Sequence, residues 1–435
     1  MYPALFASLG TTEDIHHFVF RSVTEIVGDR LTSESIVRYY FGTINAWFTI
    51  VERAGFEPRF EQMWSEPSAE TGLLLLSMFL IVRAPEEDTG ASMQNSLYHF
   101  AKTLCTLVAI KAPLSISLLQ ANLLVCLYEL YHFMPQQAYM TLGSCVTIVR
   151  AFGWLDENFW SHERWIVRPR ELKISSILWW SMMFLESGLQ TEELGYPRNL
   201  PGLAFAIPFP ETFDPFLQLS QGDQYGGSVQ SVFRFADDGD DKIDTTVWPE
   251  AKSTSFLTEV LQQRTGHSGT QGLSREDLTT AMMDHARDVV SMPWKDGFRF
   301  ASLSLTYTAI LKLNYPSLAV GIGLQVPRDG SDTSALRSAV PVIESICHSA
   351  RLMTSSDSLS SMGPLVPPMA HSIFLAAMVL IGLGSTFMLD PDWPHKVQLL
   401  RSCLELFAKR WKIAERHVQA LNAAFQAQLS QLHSR

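Results

Sequence analysis

Five cysteines are the first side chains to consider for metal chemistry, because thiolates bind zinc strongly. They stand at Cys105, Cys126, Cys145, Cys347 and Cys403. A zinc cluster needs closely spaced cysteines, since each sulfur must lie about 2.3 Å from the metal. The closest pair, Cys126 and Cys145, is separated by 19 positions and falls on two different predicted helices. The spacing excludes a cysteine cluster in this sequence and predicts five buried thiols in a reducing compartment.

Histidines and acidic residues give only weak metal motifs. His16 and His17 are adjacent, and adjacent helical residues point in different directions. His162 and Glu163 lack the second histidine of a helical zinc-protease motif. The acidic run 237–241 has its glycine at the wrong offset for a calcium loop, and no glutamate completes it. The sequence therefore predicts no metal site and no cofactor.

Catalytic motifs are also missing from the sequence. It contains no Gly-x-Ser-x-Gly elbow, no Walker loop and no dinucleotide glycine fingerprint. Gly321-Ile322-Gly323 is an isolated fragment. No catalytic residue is assigned, and the chain is not predicted to be an enzyme.

One aromatic segment could line a ligand pocket. It contains Trp179, Trp180, Met182 and Met183 on one predicted helix. Two consecutive tryptophans cannot both face one apolar stripe, so we expect one to pack inward and the other to cover a neighbouring helix or loop. Core packing is the favoured interpretation. A ligand pocket lined by these four residues is the alternative.

The composition is that of a globular protein. Hydrophobic residues make up 47% of the chain and charged residues 18%, which argues against disorder. The formal net charge of −11 opposes DNA binding by the chain as a whole, because duplex DNA repels a negative field. The N-terminus lacks a basic signal segment. The apolar runs 73–82 and 373–389 are too short or interrupted by glycine, so we expect a soluble protein.

Helical periodicity dominates the sequence and predicts an all-α fold of about a dozen stacked helices. An N-cap with first-turn acids at 11–14 begins the first helix, which ends near Gly28. A stripe of apolar residues from Phe407 to Phe425 is expected to pack against its own domain. The other predicted helices are 33–52, 70–83, 92–112, 114–132, 136–152, 170–190, one near Phe256, one from Ser274, 298–314, 334–354, 368–388 and 395–430.

A break in this pattern divides the chain. The segment 217–254 contains four glycines, a charged run from Asp237 to Asp244, and Trp248-Pro249. It is expected to be one long, exposed acidic loop. The predicted division is a first helical half at 29–216, the loop at 217–254, and a second helical half at 255–435, within a single domain of residues 1–435.

Several motifs follow one another in a specific order. The helical block 118–154 is followed by Leu178-Trp179-Trp180-Ser181-Met182, by Gly195-Tyr196-Pro197 and by an Ile-Pro-Phe-Pro segment at 207–210. An aromatic helix at 39–48 stands before them, and Leu313-Asn314-Tyr315-Pro316 stands after them. Over nearly the whole chain this order resembles the middle homology region of fungal zinc-cluster transcription factors.

The chain departs from that family pattern at several positions. Asn45 and Ala46 stand where the family usually has His-Pro, and Tyr196 replaces the arginine of its Gly-Arg-Pro turn. The usual arginines before the Trp-Trp pair are replaced by Lys173-Ile174-Ser175. The charged network of the family around this pair is therefore not expected here.

The resemblance implies a helical regulatory domain for inhibition, effector response and partner contact, and it assigns no catalytic residues. Because the cysteine cluster is missing, we expect a nuclear transcriptional regulator that acts through a DNA-binding transcription factor or other regulatory protein. A small-molecule effector is a further expected partner. By analogy we expect control of a secondary-metabolite biosynthetic gene cluster.

Two alternatives stay open. In the first, the chain is a small-molecule-binding protein or an unrecognised biosynthetic enzyme on the same helical fold. In the second, an upstream exon supplies the missing cysteines.

Overall fold

A computed structural model describes residues 14–85, 93–161, 164, 167–192, 196–200, 248–264, 274–291, 296–315, 333–355, 365–387 and 392–433. These residues contain fifteen α-helices and no strand, which confirms the all-α fold. The helix count is fifteen rather than about a dozen. None of the described helices is both long and apolar enough to cross a membrane.

The helices fall into two sets along the chain. The first set is α1 Ile15–Val27, α2 Arg30–Gly42, α3 Arg53–Met63, α4 Ala69–Val82, α5 Ser96–Lys111, α6 Ile116–Tyr131, α7 Pro135–Ala151 and α8 Pro169–Thr191, with a 3-10 turn at Glu157–Trp160. The second set is α9 Trp248–Arg264, α10 Arg275–Ser291, α11 Asp296–Asn314, α12 Thr333–Thr354, α13 Pro367–Phe387, α14 Trp393–Ala408 and α15 Lys412–His433.

Side-chain caps fix several helix starts, because the first backbone N–H groups of a helix lack partners within it. Asp29 accepts from the Thr32 N–H at 2.9 Å at the start of α2, and Ser115 caps α6 in the same way. Asp14 is itself the cap of α1 and accepts from the His16 N–H at 3.2 Å. Of the residues 11–14 in which the cap was predicted, Asp14 is the cap. Residues 11–13 lie outside the described part.

The prediction of one helix over residues 33–52 is wrong for the second half of that range. Helix α2 ends at Gly42, and the chain then turns. The side-chain oxygen of Asn45 accepts from the Tyr40 hydroxyl and from the Val51 N–H, both at 3.3 Å. An asparagine that bonds nearby backbone groups competes with helix formation. These bonds tie the turn around Asn45 to Tyr40 near the end of α2.

Helix α3 was not predicted from the sequence. It contains Gly55 near its start and Pro58 inside it, and both residues disfavour a helix interior. Phe56, Phe60 and Met63 form its buried face. Tertiary burial of this apolar face therefore outweighs the weak local propensity.

The single last helix predicted at 395–430 is two helices, α14 and α15, with a turn between them. The Arg410 guanidinium in this turn donates to the backbone carbonyls of Ile81 and Arg83 at the end of α4. A long-range contact therefore interrupts the helical pattern. Phe407, Trp411 and Leu421 of the apolar stripe are buried in the core, so the stripe packs against its own chain as predicted.

The core is built around two almost wholly buried helices. Every residue of α6 from Ser117 to Tyr131 is buried, and α6 packs against α4, α7 and α8. In the second set, α13 packs against α11, α14 and α15. Helix α8 contacts α9, and α15 returns to α6. These two contacts join the two sets of helices.

The five cysteines occupy this core, and all are buried as thiols. Helix α9 begins at Trp248, inside the range 217–254 that the sequence assigned to a loop. The rest of that range lies outside the described residues. The division of residues 1–435 at this loop therefore stays a proposal.

Candidate functional site

The aromatic residues singled out from the sequence lie on α8. Trp179, Trp180, Met182 and Met183 are all buried. Trp179 meets the edge of the Trp160 ring, with centroids 6.3 Å apart and planes at 69°. Both tryptophans are thus enclosed, where one of them was expected to cover a neighbouring helix or loop. Whether these four residues form a ligand pocket stays a prediction.

An open groove lies nearer the start of α8. Its volume is about 440 Å³, and it includes none of the four predicted pocket residues. It is lined by Phe159, Ser161, Arg164, Val167, Arg168, Glu171 and Leu172. Its shape and charged rim are those of a surface feature rather than of an enclosed apolar pocket.

A buried cluster of metal-ligating side chains lies at the other end of α8. Glu192 follows the last residue of α8, His371 lies in α13, and His417 lies in α15. One ligand atom from each residue can be chosen so that all three lie within 4.8 Å of one another. Glu192 Oε1 is 3.2 Å from His371 Nδ1 and 3.5 Å from His417 Nε2.

Packing fixes the orientation of the two imidazole rings. The His417 ring stacks on Phe374, with centroids 4.6 Å apart and planes at 10°. The His371 ring meets the edge of the His417 ring at 5.3 Å. Close to them, the ammonium group of Lys312 donates to the carbonyl of Thr191 at 2.9 Å, at the C-terminal end of α8. Four helices therefore converge on this cluster.

The electrostatics favour an ionised carboxylate beside a neutral imidazole. Burial alone would raise the pKa of Glu192, but His371 and His417 outweigh it and hold that pKa well below its usual range. Burial lowers the pKa of His371 to about 4, although Glu192 pulls it upward. At neutral pH the site therefore holds a carboxylate and a neutral His371 ring.

Hydrogen bonds do not account for the polar atoms of this cluster. Within the described residues, neither ring nitrogen of His371 or His417 has a hydrogen-bond partner, nor does Glu192 Oε2. The contacts to Glu192 Oε1 have the distance of hydrogen bonds without their geometry. Buried polar atoms without partners are rare and call for an explanation.

This cluster was not predicted from the sequence. Its members are far apart in the chain, and none belongs to a spaced metal motif. The only local signal is a histidine at helical spacing within an apolar stripe. Such a histidine is usually a core residue.

A serine and a histidine also meet in the second set of helices. Ser253 Oγ is 2.9 Å from His285 Nε2, which resembles a nucleophile beside its base. However, the Ser253 hydroxyl also lies 2.7 Å from the Pro249 carbonyl and 2.7 Å from Ser302 Oγ. Ser253 and His285 are both buried. The arrangement joins α9, α10 and α11 and does not present a nucleophile to a substrate.

Because of His285, we expect the free energy of unfolding to fall at acidic pH. Burial, with a smaller contribution from Lys252, lowers its pKa in the folded chain to about 4, whereas the unfolded value is about 6.5. The unfolded chain therefore binds more protons below pH 6.5, so stability falls as the pH falls toward 4. Between pH 7 and pH 5 we expect His285 to account for a loss of about 2 kcal/mol.

Urea unfolding at pH 7 and pH 5 measures this loss in the wild type and in the His285→Gln variant. The variant should lose about 2 kcal/mol less than the wild type over this interval. An equal loss in both proteins would show that the pKa of His285 does not differ between the folded and unfolded states.

Comparison with known proteins identifies one part of the chain. Residues 37–225 match the fungal specific transcription factor domain. A segment of 109 residues, 25% of this chain, is 31% identical to transcription factor BOA15 of Botryotinia fuckeliana (strain B05.10). The match spans 60% of the length of that relative. No solved structure matches the chain. The resemblance seen in the sequence is confirmed for this part of the chain.

Proposed function

We propose that this protein is a transcriptional regulator whose helical domain acts through protein contacts, and that a DNA-binding transcription factor or other regulatory protein brings it to its promoters. The observation that carries the proposal is the match of residues 37–225 to the fungal specific transcription factor domain. The similarity of 109 residues to a protein named as a transcription factor also supports it.

Two properties support a partner-dependent route to DNA. The net charge of −11 opposes approach to duplex DNA. The five cysteines are buried in separate helices, and burial raises the pKa values of the Cys105 and Cys403 thiols to about 12. Thiols held in this state are poorly placed to bind zinc in a DNA-binding cluster.

The biological setting is a finer part of the proposal. We place the protein in the nucleus and assign it control of a secondary-metabolite biosynthetic gene cluster. This step rests on analogy with regulators of the same domain family and not on a particular residue.

An effector site at Trp179, Trp180, Met182 and Met183 is the last part of the proposal. Trp179 Nε1 is buried and has no hydrogen-bond partner within the described residues, so a small ligand with an acceptor oxygen would satisfy it. A ligand that raises the thermal unfolding midpoint of the wild type, and not of Trp179→Phe, would mark this site.

Deletion of the gene, followed by sequencing of total RNA, tests the regulatory role. Transcripts of a defined set of genes should change, and the wild-type gene should restore them. Restoration should fail with a gene interrupted by an early stop codon. If the deletion left the transcripts unchanged under conditions in which the protein is made, the regulatory role would be refuted.

A further inference from the structure

We propose that Glu192, His371 and His417 form a binding site for one divalent transition-metal ion, and that Zn²⁺ is the ion that fits it best. The proposal concerns the chemistry of the chain and does not depend on its regulatory role. Two imidazole nitrogens and one carboxylate oxygen form a donor set that zinc sites in proteins use. The same set also suits Fe²⁺ and Co²⁺.

The distances between the donor atoms fit such a site. In a tetrahedral zinc site with ligands at ~2.0–2.1 Å, neighbouring donors lie roughly 3.3 Å apart. Glu192 Oε1 already lies 3.2 Å from His371 Nδ1 and 3.5 Å from His417 Nε2. The three donors lie within 4.8 Å of one another. Small side-chain rotations would therefore place all three donors around one ion.

A bound ion would supply a partner for one polar atom of each residue in the cluster. His417 is 0% exposed, and the other two residues are almost as deeply buried. A histidine in a purely structural role would be expected to direct an N–H at the carboxylate or at a backbone carbonyl. No ring nitrogen of His371 or His417 does so within the described residues. A metal ion would take one lone pair from each residue.

Some of the charges around the cluster favour a cation, and one opposes it. Glu192, His371 and His417 offer a carboxylate and two imidazole rings, which are side-chain types that bind metals. The cluster lies at the C-terminal end of α8, where the helix dipole is negative. The Lys312 ammonium on the Thr191 carbonyl opposes a second positive charge. We therefore expect weaker binding than at a structural site made of cysteines.

The test uses the full chain, purified with a tag that contains no histidine. The protein is stripped with a chelator and titrated with Zn²⁺ by calorimetry, and the bound metal is counted by elemental analysis. One ion should bind per chain and raise the thermal unfolding midpoint. With Co²⁺, an absorption spectrum of nitrogen and oxygen ligands should appear at the same stoichiometry.

Variants locate the ion within the chain. His417→Ala and Glu192→Gln should weaken binding by more than about 100-fold, since loss of even an outer partner of a ligand costs 10–100-fold. His132→Ala is the matched control, because His132 is also buried and its ring nitrogens also lack partners among the residues that the structure describes. His99→Ala removes an exposed histidine. Both controls should keep one ion per chain.

Two results would overturn the proposal. The first is a stripped wild-type chain that binds no stoichiometric ion, in which case the cluster is a buried ionic contact. The second is binding that persists in folded His417→Ala but disappears in His99→Ala, which would place the ion on the surface. Because the wild type alone gives the first answer, a variant that fails to fold does not block the test.

Discussion

Replacement of Glu129 by alanine is expected to lower the free energy of unfolding by about 3 kcal/mol. Glu129 is fully buried in α6 and accepts at 2.7 Å from both the Tyr98 hydroxyl and the Lys102 ammonium group of α5. Its second oxygen accepts from Thr141 of α7. The carboxylate therefore joins three helices, and its removal leaves the buried Tyr98 hydroxyl without its acceptor and the Lys102 ammonium group without its carboxylate.

Urea unfolding, followed by both circular dichroism and tryptophan fluorescence, measures this change. The matched control is Glu57→Ala, which removes a glutamate from the exposed pair with Arg53 and should change stability by no more than about 0.5 kcal/mol. The loss of stability in Glu129→Gln should fall between the losses in Glu129→Ala and Glu57→Ala. Equal stability of Glu129→Ala and Glu57→Ala would show that the buried network contributes nothing.

Trp411→Ala is expected to cost about 4 kcal/mol of stability. The Trp411 side chain is buried at the start of α15, and its Nε1 donates to the Leu365 carbonyl at 2.7 Å. Its ring meets the edge of Tyr131 in α6 at 5.9 Å and lies under the Arg410 guanidinium. Truncation would open a cavity where the second set of helices returns to the first.

The control for this prediction is Trp411→Phe. Phenylalanine keeps an aromatic ring and loses the hydrogen bond, so about 1–2 kcal/mol should be lost. The same urea unfolding assay compares the two variants. If Trp411→Ala unfolded at the same urea concentration as the wild type, the contact between α15 and α6 would not stabilise the fold.

The helices with clear local signals could be predicted from the sequence. Periodic apolar residues predicted α4 to α8 within a few positions. The errors occur where tertiary contacts act against local preference. Burial of Phe56 and Phe60 overrides Gly55 and Pro58 in α3, and Arg410 reaches the end of α4 and separates α14 from α15.

The candidate site could not be predicted in the same way. The motifs that sequence analysis can find place ligands within a few residues of one another. Glu192, His371 and His417 come from three helices whose packing alone brings them together. Core packing was the favoured interpretation for the segment of Trp179 and Trp180, and both side chains are buried. It carried no information on which polar side chains would meet at the end of α8.

The measurement that tests the central claim most directly is purification of the tagged protein from its own cells, with its partners identified by mass spectrometry. Recovery of a DNA-binding transcription factor is the predicted result. That factor should be lost when the same tag is placed on a chain truncated after residue 216, since the helical sets pack together through α8–α9 and α15–α6. Recovery of only metabolic enzymes, or of no partner, would contradict a regulator that reaches DNA through another protein.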